Sequence, residues 1–219
     1  AVTTPIIGNF GDVRNQGFEL SATLQVVDRD EFSYSLVGNI AHRDNKVVRL
    51  DDGIITFSSL SASGDISGTI IEGYPLFANW TYPILGWKDR DGNGYIDSDE
   101  VMVGDSLMYV GPTQPKYTAY MSHFFGFLNN RLTLNANFAY SSGQSLYNQG
   151  RESLVSAMGA ANIDKLSLRD QACFAATQYV TGRNRSAQCF METVKVLRLQ
   201  DMTLSYALPQ ALAQRIGAT

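Results

Sequence analysis

The sequence predicts an all-β, antiparallel fold of the kind that forms transmembrane β-barrels, and three observations lead to this prediction. Apolar and polar residues alternate with period two over long segments, which is typical of strands with two different faces. The polar faces carry Ser, Thr, Asn and Gln in place of the Lys and Glu that solvate a soluble sheet. Short turns alternate with long connections, as they do in outer-membrane barrels.

The composition excludes several other classes of protein. With 44% hydrophobic and 11% aromatic residues, the 219-residue chain is too apolar to be disordered. The formal net charge is -4, so the chain lacks the excess of positive charge that nucleic-acid-binding proteins carry, and no nucleic acid is expected as a partner. No segment approaches the roughly 18 consecutive apolar residues of a membrane-spanning helix. This excludes a helical membrane protein and leaves β-barrels open.

Five segments alternate strongly enough to be predicted as strands. Tight turns at residues 28–31 and 128–131 join them into two hairpins, while long connections cover residues 43–115 and 143–193. The last segment slips its phase by one residue near Gln200, which predicts a bulge. The predicted strands are residues 16–27, 32–40, 117–127, 132–141 and 194–208.

The leucines on the apolar faces distinguish two architectures. In a soluble sandwich, Leu20, Leu36, Leu134 and Leu204 would pack into one dry core. In a membrane barrel they would form an outward apolar band about 25 Å tall. The pattern favours the barrel, and a soluble β-domain remains the alternative.

Residues 89–100 match the calcium-binding loop at every defining position. Acidic or amide oxygens stand at positions one, three and five, and Gly94 at position six permits the sharp turn. Such a loop can also be an ordinary solvated turn, but the full match favours structural Ca²⁺. The predicted ligands are Asp89, Asp91, Asn93, the carbonyl of Tyr95, Asp97 and Glu100.

The flanks of this loop exclude an EF-hand protein. Pro75 and Pro83 prevent an entering helix, and Gly104 and Pro112 leave no room for a long exiting one. We therefore expect a calcium-binding-like loop within β-structure, with local ordering as its role.

The two cysteines, Cys173 and Cys189, lie in a polar stretch without neighbouring histidines. That setting is poor for zinc, so a disulfide that staples a loop is the better interpretation. A disulfide implies an oxidising compartment.

The sequence contains no catalytic constellation, and we predict that the protein is not an enzyme. His42 and His123 lie in separate strands without a recognisable nucleophile. No phosphate-binding or dinucleotide-binding motif is present.

Several short segments, spread through almost the whole chain, are similar to segments that occur in the same order in a known protein family. The segments are Gly8–Leu20, Phe32–Leu36, Gly73–Leu76, Phe127–Leu132 and Leu197–Pro209. In this order they resemble the TonB-dependent outer-membrane receptors, and most closely the SusC/RagA-like branch.

The resemblance implies that residues 1–219 form part of a barrel domain of about 22 strands, without its plug and closing strands. It also implies the bacterial cell outer membrane as location and outer-membrane lipid as surroundings. The energy-transducing TonB complex would act through the missing N-terminal part, and a surface lipoprotein is a further expected partner. The turns at residues 28–31 and 128–131 would face the periplasm.

The function implied is a part of an active transporter that imports a bulky nutrient, such as an oligosaccharide, a peptide or a metal chelate. Trp80, Tyr82 and Trp87 are candidate ligand-facing aromatics, with an interfacial belt or loop packing as the alternative. The rival for the whole protein is a secreted or surface β-sheet binding module stabilised by calcium. A passive small porin would require a closed barrel from these residues alone.

Overall fold

The computed structural model describes residues 11–51, 54–56 and 69–215. The first three residues of the segment Gly8–Leu20 therefore lie outside the described residues. Two compact units divide the protein. The sheet unit comprises residues 17–43, 115–142 and 195–219. The loop unit comprises residues 1–16, 44–114 and 143–194.

Five long strands form one sheet, and all five predicted strands are present in it. They are β1 (Gly11–Asp28), β2 (Phe32–Leu50), β9 (Tyr117–Phe127), β10 (Leu132–Tyr147) and β11 (Met191–Tyr206). Their order in the sheet is β1-β2-β9-β10-β11. The strands before and after the long connection, β2 and β9, are therefore direct neighbours in the sheet. Strand β9 is antiparallel to both β2 and β10.

The register of these strands gives the sheet unit one apolar face. Phe32, Phe127 and Leu132 lie in one cross-strand row. The row two residues further along contains Tyr34 and Phe125, whose rings stack with centroids 4.7 Å apart. Because side chains alternate between the two faces of a strand, rows spaced by two residues share a face. The alternation seen in the sequence therefore becomes a continuous apolar surface.

The opposite face is mostly polar, with Val37, Tyr120 and Phe124 as exceptions, and carries hydrogen bonds between neighbouring strands. The side-chain amide of Asn39 donates to the Ser21 hydroxyl at 2.9 Å. The amide of Asn137 donates to the Asp201 carboxylate, also at 2.9 Å. These hydrogen bonds pair polar side chains of neighbouring strands, and none of them involves Lys or Arg.

Both predicted tight turns lie at the same end of the sheet. The backbone N–H of Leu128 donates to the carbonyl of Glu31 at 3.1 Å, and that of Asn129 donates to Asp30 at 3.0 Å. Leu128, Asn129 and Asn130 have φ values of 55°, 57° and 60°, in the left-handed region that favours glycine. The hairpin β9–β10 therefore closes through a backbone conformation that residues with a Cβ rarely adopt.

Among the described residues, short strands form three two-stranded ribbons in addition to the main sheet. They are β3 (Ile54–Thr56) with β4 (Thr69–Ile71), β5 (Ala78–Thr81) with β8 (Met108–Pro112), and β6 (Ile84–Trp87) with β7 (Val101–Val103).

Helices occupy much of the connection between β10 and β11, for which the sequence pattern predicts only a long loop. They are α1 (Gln149–Ala161) and α2 (Leu168–Thr177), and α3 (Gln210–Arg215) follows β11. Asn148 and Ser167 cap the first two helices by accepting backbone N–H groups of Arg151 and Asp170. Within the described part of the protein, no helix is long and apolar enough to cross a membrane.

Candidate functional site

Residues 89–100 connect β6 to β7, so two strands and no helices frame the loop, as the flanking prolines and glycines predict. The backbone N–H of Lys88 donates to the carbonyl of Glu100 at 3.2 Å and closes the base of the loop. A single 3-10 turn, Ser98–Glu100, precedes β7.

The loop brings three of its predicted ligands into one cluster. Carboxylate oxygens of Asp89, Asp91 and Glu100 lie within 4.8 Å of one another. Glu100 is buried, although it is ionisable. Three converging carboxylates are the hard oxygen donors that Ca²⁺ prefers.

Backbone amides of the loop point at the first of these carboxylates. The N–H groups of Gly92 and Gly94 donate to the Asp89 carboxylate at 2.7 and 2.9 Å. Both glycines have positive φ, 75° and 84°, which residues with a Cβ rarely adopt. The two glycines thus give the backbone the turn that directs both amides to Asp89.

Asn93 ties the centre of the loop together. Its side-chain oxygen accepts the N–H of Tyr95 at 2.7 Å. Its side-chain amide donates to the carboxylates of Asp91 at 3.0 Å and Asp97 at 3.2 Å. The predicted ligands Asn93 and Asp97 therefore lie beside the cluster. For the Tyr95 carbonyl, ligation stays a prediction.

Hydrogen bonds lower the pKa of two loop carboxyls. The Gly94 N–H, and then that of Gly92, lower the pKa of Asp89 below its ordinary value. The N–H of Arg90, followed by that of Asp97, lowers the pKa of Glu100. Donors that bond to a carboxylate favour its charged form. Both groups are therefore held as anions, the form that binds a cation.

Gln171 on α2 holds the loop from outside, and no motif in the sequence points to this role. Its side-chain oxygen accepts the N–H of Ile96 at 2.9 Å. Its side-chain amide donates to the carbonyls of Ile163 and Leu166 at 3.2 and 3.1 Å. Gln171 is buried with its polar atoms bonded, which fixes the second half of the loop relative to α2.

An apolar cluster and a disulfide anchor this helix. Ile96 and Val101 pack with three small residues of α2, Ala172, Ala175 and Ala176. The sulfur atoms of Cys173 in α2 and Cys189 are bonded to each other. Loop, helix and disulfide therefore belong to one packed substructure.

The three candidate ligand-facing aromatics differ in exposure. Trp80 is only 3% exposed and packs against Tyr74 and Tyr109, with ring centroids 4.7 and 5.5 Å from its own. Tyr82 packs against the same cluster. Trp87 is 41% exposed on β6. Of the three, Trp87 presents the most accessible ring in this structure, and a ligand role stays a prediction.

Both histidines make contacts on the apolar face of the sheet unit. Nδ1 of His123 is hydrogen-bonded to the Tyr34 hydroxyl at 2.9 Å. The His42 ring stacks with that of Phe18, with centroids 5.6 Å apart. These are packing contacts between neighbouring strands.

Large side chains on the apolar face of the sheet unit are exposed. Leu20 is 62% exposed and Leu204 is 68% exposed. Leu36 and Leu134 are half-buried between neighbouring strands. The four leucines therefore do not form a dry core.

Comparison with solved structures identifies the fold. The RagAB peptide transporter matches over 93% of this chain with a TM-score of 0.65 and 17% sequence identity. The chain has the fold of a segment of RagAB. The RagAB peptide importer in its 'closed-closed' state matches 94% of the chain at 16% identity, again with a TM-score of 0.65. Its 'open-open' state matches 93% at 17% identity with a TM-score of 0.63.

The RagAB comparison confirms the fold class and the resemblance seen in the sequence segments. The strand pattern predicts an antiparallel sheet of the barrel type, and these neighbours are transporters rather than enzymes. The chain spans about a quarter of the RagAB chains, 24%, 24% and 23%. No protein-family model matches the sequence, and no curated protein matches it. That residues 1–219 all belong to one partial barrel domain stays a prediction.

Proposed function

We propose that this chain is a wall segment of a TonB-dependent active transporter in the bacterial outer membrane, of the SusC/RagA-like type. The observation that carries the proposal is the exposed apolar face of the sheet unit. Exposed side chains such as Leu20 and Leu204 would be costly in water, at about 25 cal/mol for each Å² of apolar surface. Lipid chains would remove that cost.

The dimensions of the apolar face suit a bilayer. The paired register runs from Phe32 to His42 along β2. At about 3.3 Å per residue this is roughly 33 Å along the strand, or about 25 Å across the membrane at a tilt near 40°. Aromatic pairs stand at both ends of this span, Phe32 with Phe127 and His42 with Tyr117. Outer-membrane barrels carry aromatic girdles at these two levels.

The finer parts of the proposal come from the family resemblance and from the neighbours. The cargo would be a bulky nutrient: an oligosaccharide, a peptide or a metal chelate. The RagAB structures are described as a peptide transporter and importer, which favours a peptide. Strands outside this chain would pair with the open edges of β1 and β11. The TonB complex and a surface lipoprotein would be the protein partners.

Insertion into lipid vesicles tests the membrane proposal. Leu204→Arg places a charge on the apolar face, and Ser205→Arg places the same charge on the opposite face of β11. Leu204 lies between the aromatic edge of the span and its middle, so we expect Leu204→Arg to weaken insertion by about 1–2 kcal/mol, and Ser205→Arg to have little effect. Equal effects, or a wild-type protein that stays in solution beside the vesicles, would favour the secreted β-sheet module instead.

We also propose that the loop at residues 89–100 binds Ca²⁺ and orders its surroundings. The converging carboxylates of Asp89, Asp91 and Glu100 support this, because Ca²⁺ takes six to eight oxygen ligands. Asn93, the Tyr95 carbonyl and Asp97 would supply further oxygens. The ion would fix the loop against α2 and take no part in chemistry.

Calorimetric titration with CaCl₂ tests the calcium proposal. The double variant Asp89→Ala/Glu100→Ala should lose the binding heat of the wild type. Asp105→Ala removes an exposed carboxylate outside the loop and should leave the heat unchanged. No heat with the wild type, or the same heat with the double variant, would show that the loop is an ordinary solvated turn.

A further inference from the structure

Two residues of the loop have a chemical reactivity besides the parts they play in the calcium motif. Asn93–Gly94 is the only Asn-Gly pair in the sequence. An asparagine before glycine is prone to attack by the next backbone nitrogen, because glycine has no side chain to hinder the approach. Asn93 and Gly94 are both exposed to water.

We propose that Asn93–Gly94 is a self-modification site that the folded loop holds in check. The Gly94 nitrogen attacks Cγ of Asn93, and the new bond between these two atoms closes a five-membered imide. The bond between Cγ and Nδ2 of Asn93 breaks, and Nδ2 takes up the proton of the Gly94 N–H and departs as ammonia. Water then opens the ring at either carbonyl and leaves aspartate or isoaspartate at position 93.

Hydrogen bonds restrain both reacting groups. The nucleophile is tied, because the Gly94 N–H donates to the Asp89 carboxylate at 2.9 Å. The electrophile is also tied, by Tyr95 at 2.7 Å, Asp91 at 3.0 Å and Asp97 at 3.2 Å. Turning Cγ of Asn93 toward the Gly94 nitrogen breaks these bonds. Reaction therefore requires the loop to open, and its rate follows the open population.

The products would change the loop in opposite ways. Aspartate at position 93 adds a carboxylate next to Asp91 and Asp97 and removes the amide that bridges them. That product repels its neighbours in the empty loop and would be an additional anionic ligand for Ca²⁺, a consequence that rests on the proposed calcium binding. Isoaspartate adds a carbon to the backbone immediately before the turn at Gly94, which moves the amide away from Asp89.

Peptide mapping of the whole protein tests the proposal. Trypsin cleavage after Arg90 and Lys116 releases a peptide in which Asn93 is the sole asparagine. The protein is incubated in mildly alkaline buffer with EDTA, once folded and once in urea. Chromatography with mass spectrometry then separates the asparagine, aspartate and isoaspartate forms. We expect the folded protein to react at least about tenfold more slowly, since several hydrogen bonds must break.

Two variants sharpen this test. Asp97→Ala removes one partner of the Asn93 amide and should speed the reaction in the folded protein about fivefold. Asp105→Ala lies outside the loop and should not change it. Equal rates in the folded and urea-unfolded protein would overturn the protective role, and no product in urea would overturn the site itself.

Calcium provides an independent readout. If Asn93→Asp binds Ca²⁺ more tightly than the wild type, the predicted product effect is supported. If neither binds, the calcium proposal fails, while the rate difference between the folded and unfolded protein still decides the modification site.

Discussion

The sheet unit and the loop unit place their apolar side chains in different surroundings. Among the described residues, the buried hydrophobic side chains of the sheet unit are only Ala41 and Ala136. The loop unit buries larger ones, including Trp80, Ile96 and Phe190. The sheet unit is thus organised by strand pairing and leaves its large apolar groups outside, whereas the loop unit has cores of its own.

The two units therefore obtain their stability from different interactions. The sheet unit depends on backbone pairing and on an apolar environment around its exposed face. The loop unit depends on packing, on bonded buried polar groups such as Gln171, and on the Cys173–Cys189 disulfide. Both tryptophans, Trp80 and Trp87, belong to the loop unit, so tryptophan fluorescence reports its unfolding selectively.

The largest effect is expected from Phe190→Ala. Phe190 is 0% exposed and packs against Val155 and Cys173, so its removal leaves a cavity. We expect the free energy of unfolding of the loop unit to fall by about 3–5 kcal/mol, measured by tryptophan fluorescence in urea. Phe18→Ala makes the same chemical change at a 61% exposed position of the sheet unit. It should alter that transition by no more than about 0.5 kcal/mol. Equal losses would mean that the two units unfold as one.

An intermediate effect is expected when the disulfide is removed. Cys173 and Cys189 are 16 residues apart, and closing a loop of this length restricts the unfolded state. The double variant Cys173→Ala/Cys189→Ala should lower the stability of the loop unit by about 3 kcal/mol. Dithiothreitol should destabilise the wild type similarly and leave the variant unchanged. A wild-type transition insensitive to dithiothreitol would contradict a stapling role.

The smallest effect is expected from acid. The lowered pKa values of Asp89 and Glu100, whose ordinary values are 3.8 and 4.5, stabilise the fold while both groups are ionised. Their contribution is fully present above the ordinary values and is lost as the pH falls through the lowered ones. Loop-unit stability in EDTA should therefore decline below about pH 4.5. Asp89→Asn should decline less steeply over this range, and a stability that rises on acidification would contradict the hydrogen-bond pattern.

The strand pattern and the calcium-like loop could be predicted from the sequence because both are local. Alternation along a strand assigns Leu20 and Leu204 to one face whatever the neighbouring strands are. The loop at residues 89–100 places its carboxylates through consecutive residues, with Gly92 and Gly94 supplying the turns. Neither prediction depends on distant contacts.

The helices α1 and α2 were not predicted because their sequences give weak periodic signals. Alanines such as Ala172, Ala175 and Ala176 differ little in hydrophobicity from the polar residues around them, so they do not mark a helix face in the sequence. Their burial comes from packing against Ile96 and Val101. A local signal was present nonetheless, since Ser167 stands three residues before Asp170, as an N-capping residue does.

The class of fold, the two faces of the strands and the order of the candidate calcium ligands follow from the amino-acid sequence, because period-two alternation and a twelve-residue loop are short-range features. Three features become visible only in the folded protein: β2 pairs with β9, Trp80 is buried, and Gln171 accepts a hydrogen bond from Ile96, 75 residues away in the sequence. Those contacts join segments that are far apart in the sequence. Burial and hydrogen-bond partners therefore depend on the packing of these segments in the fold.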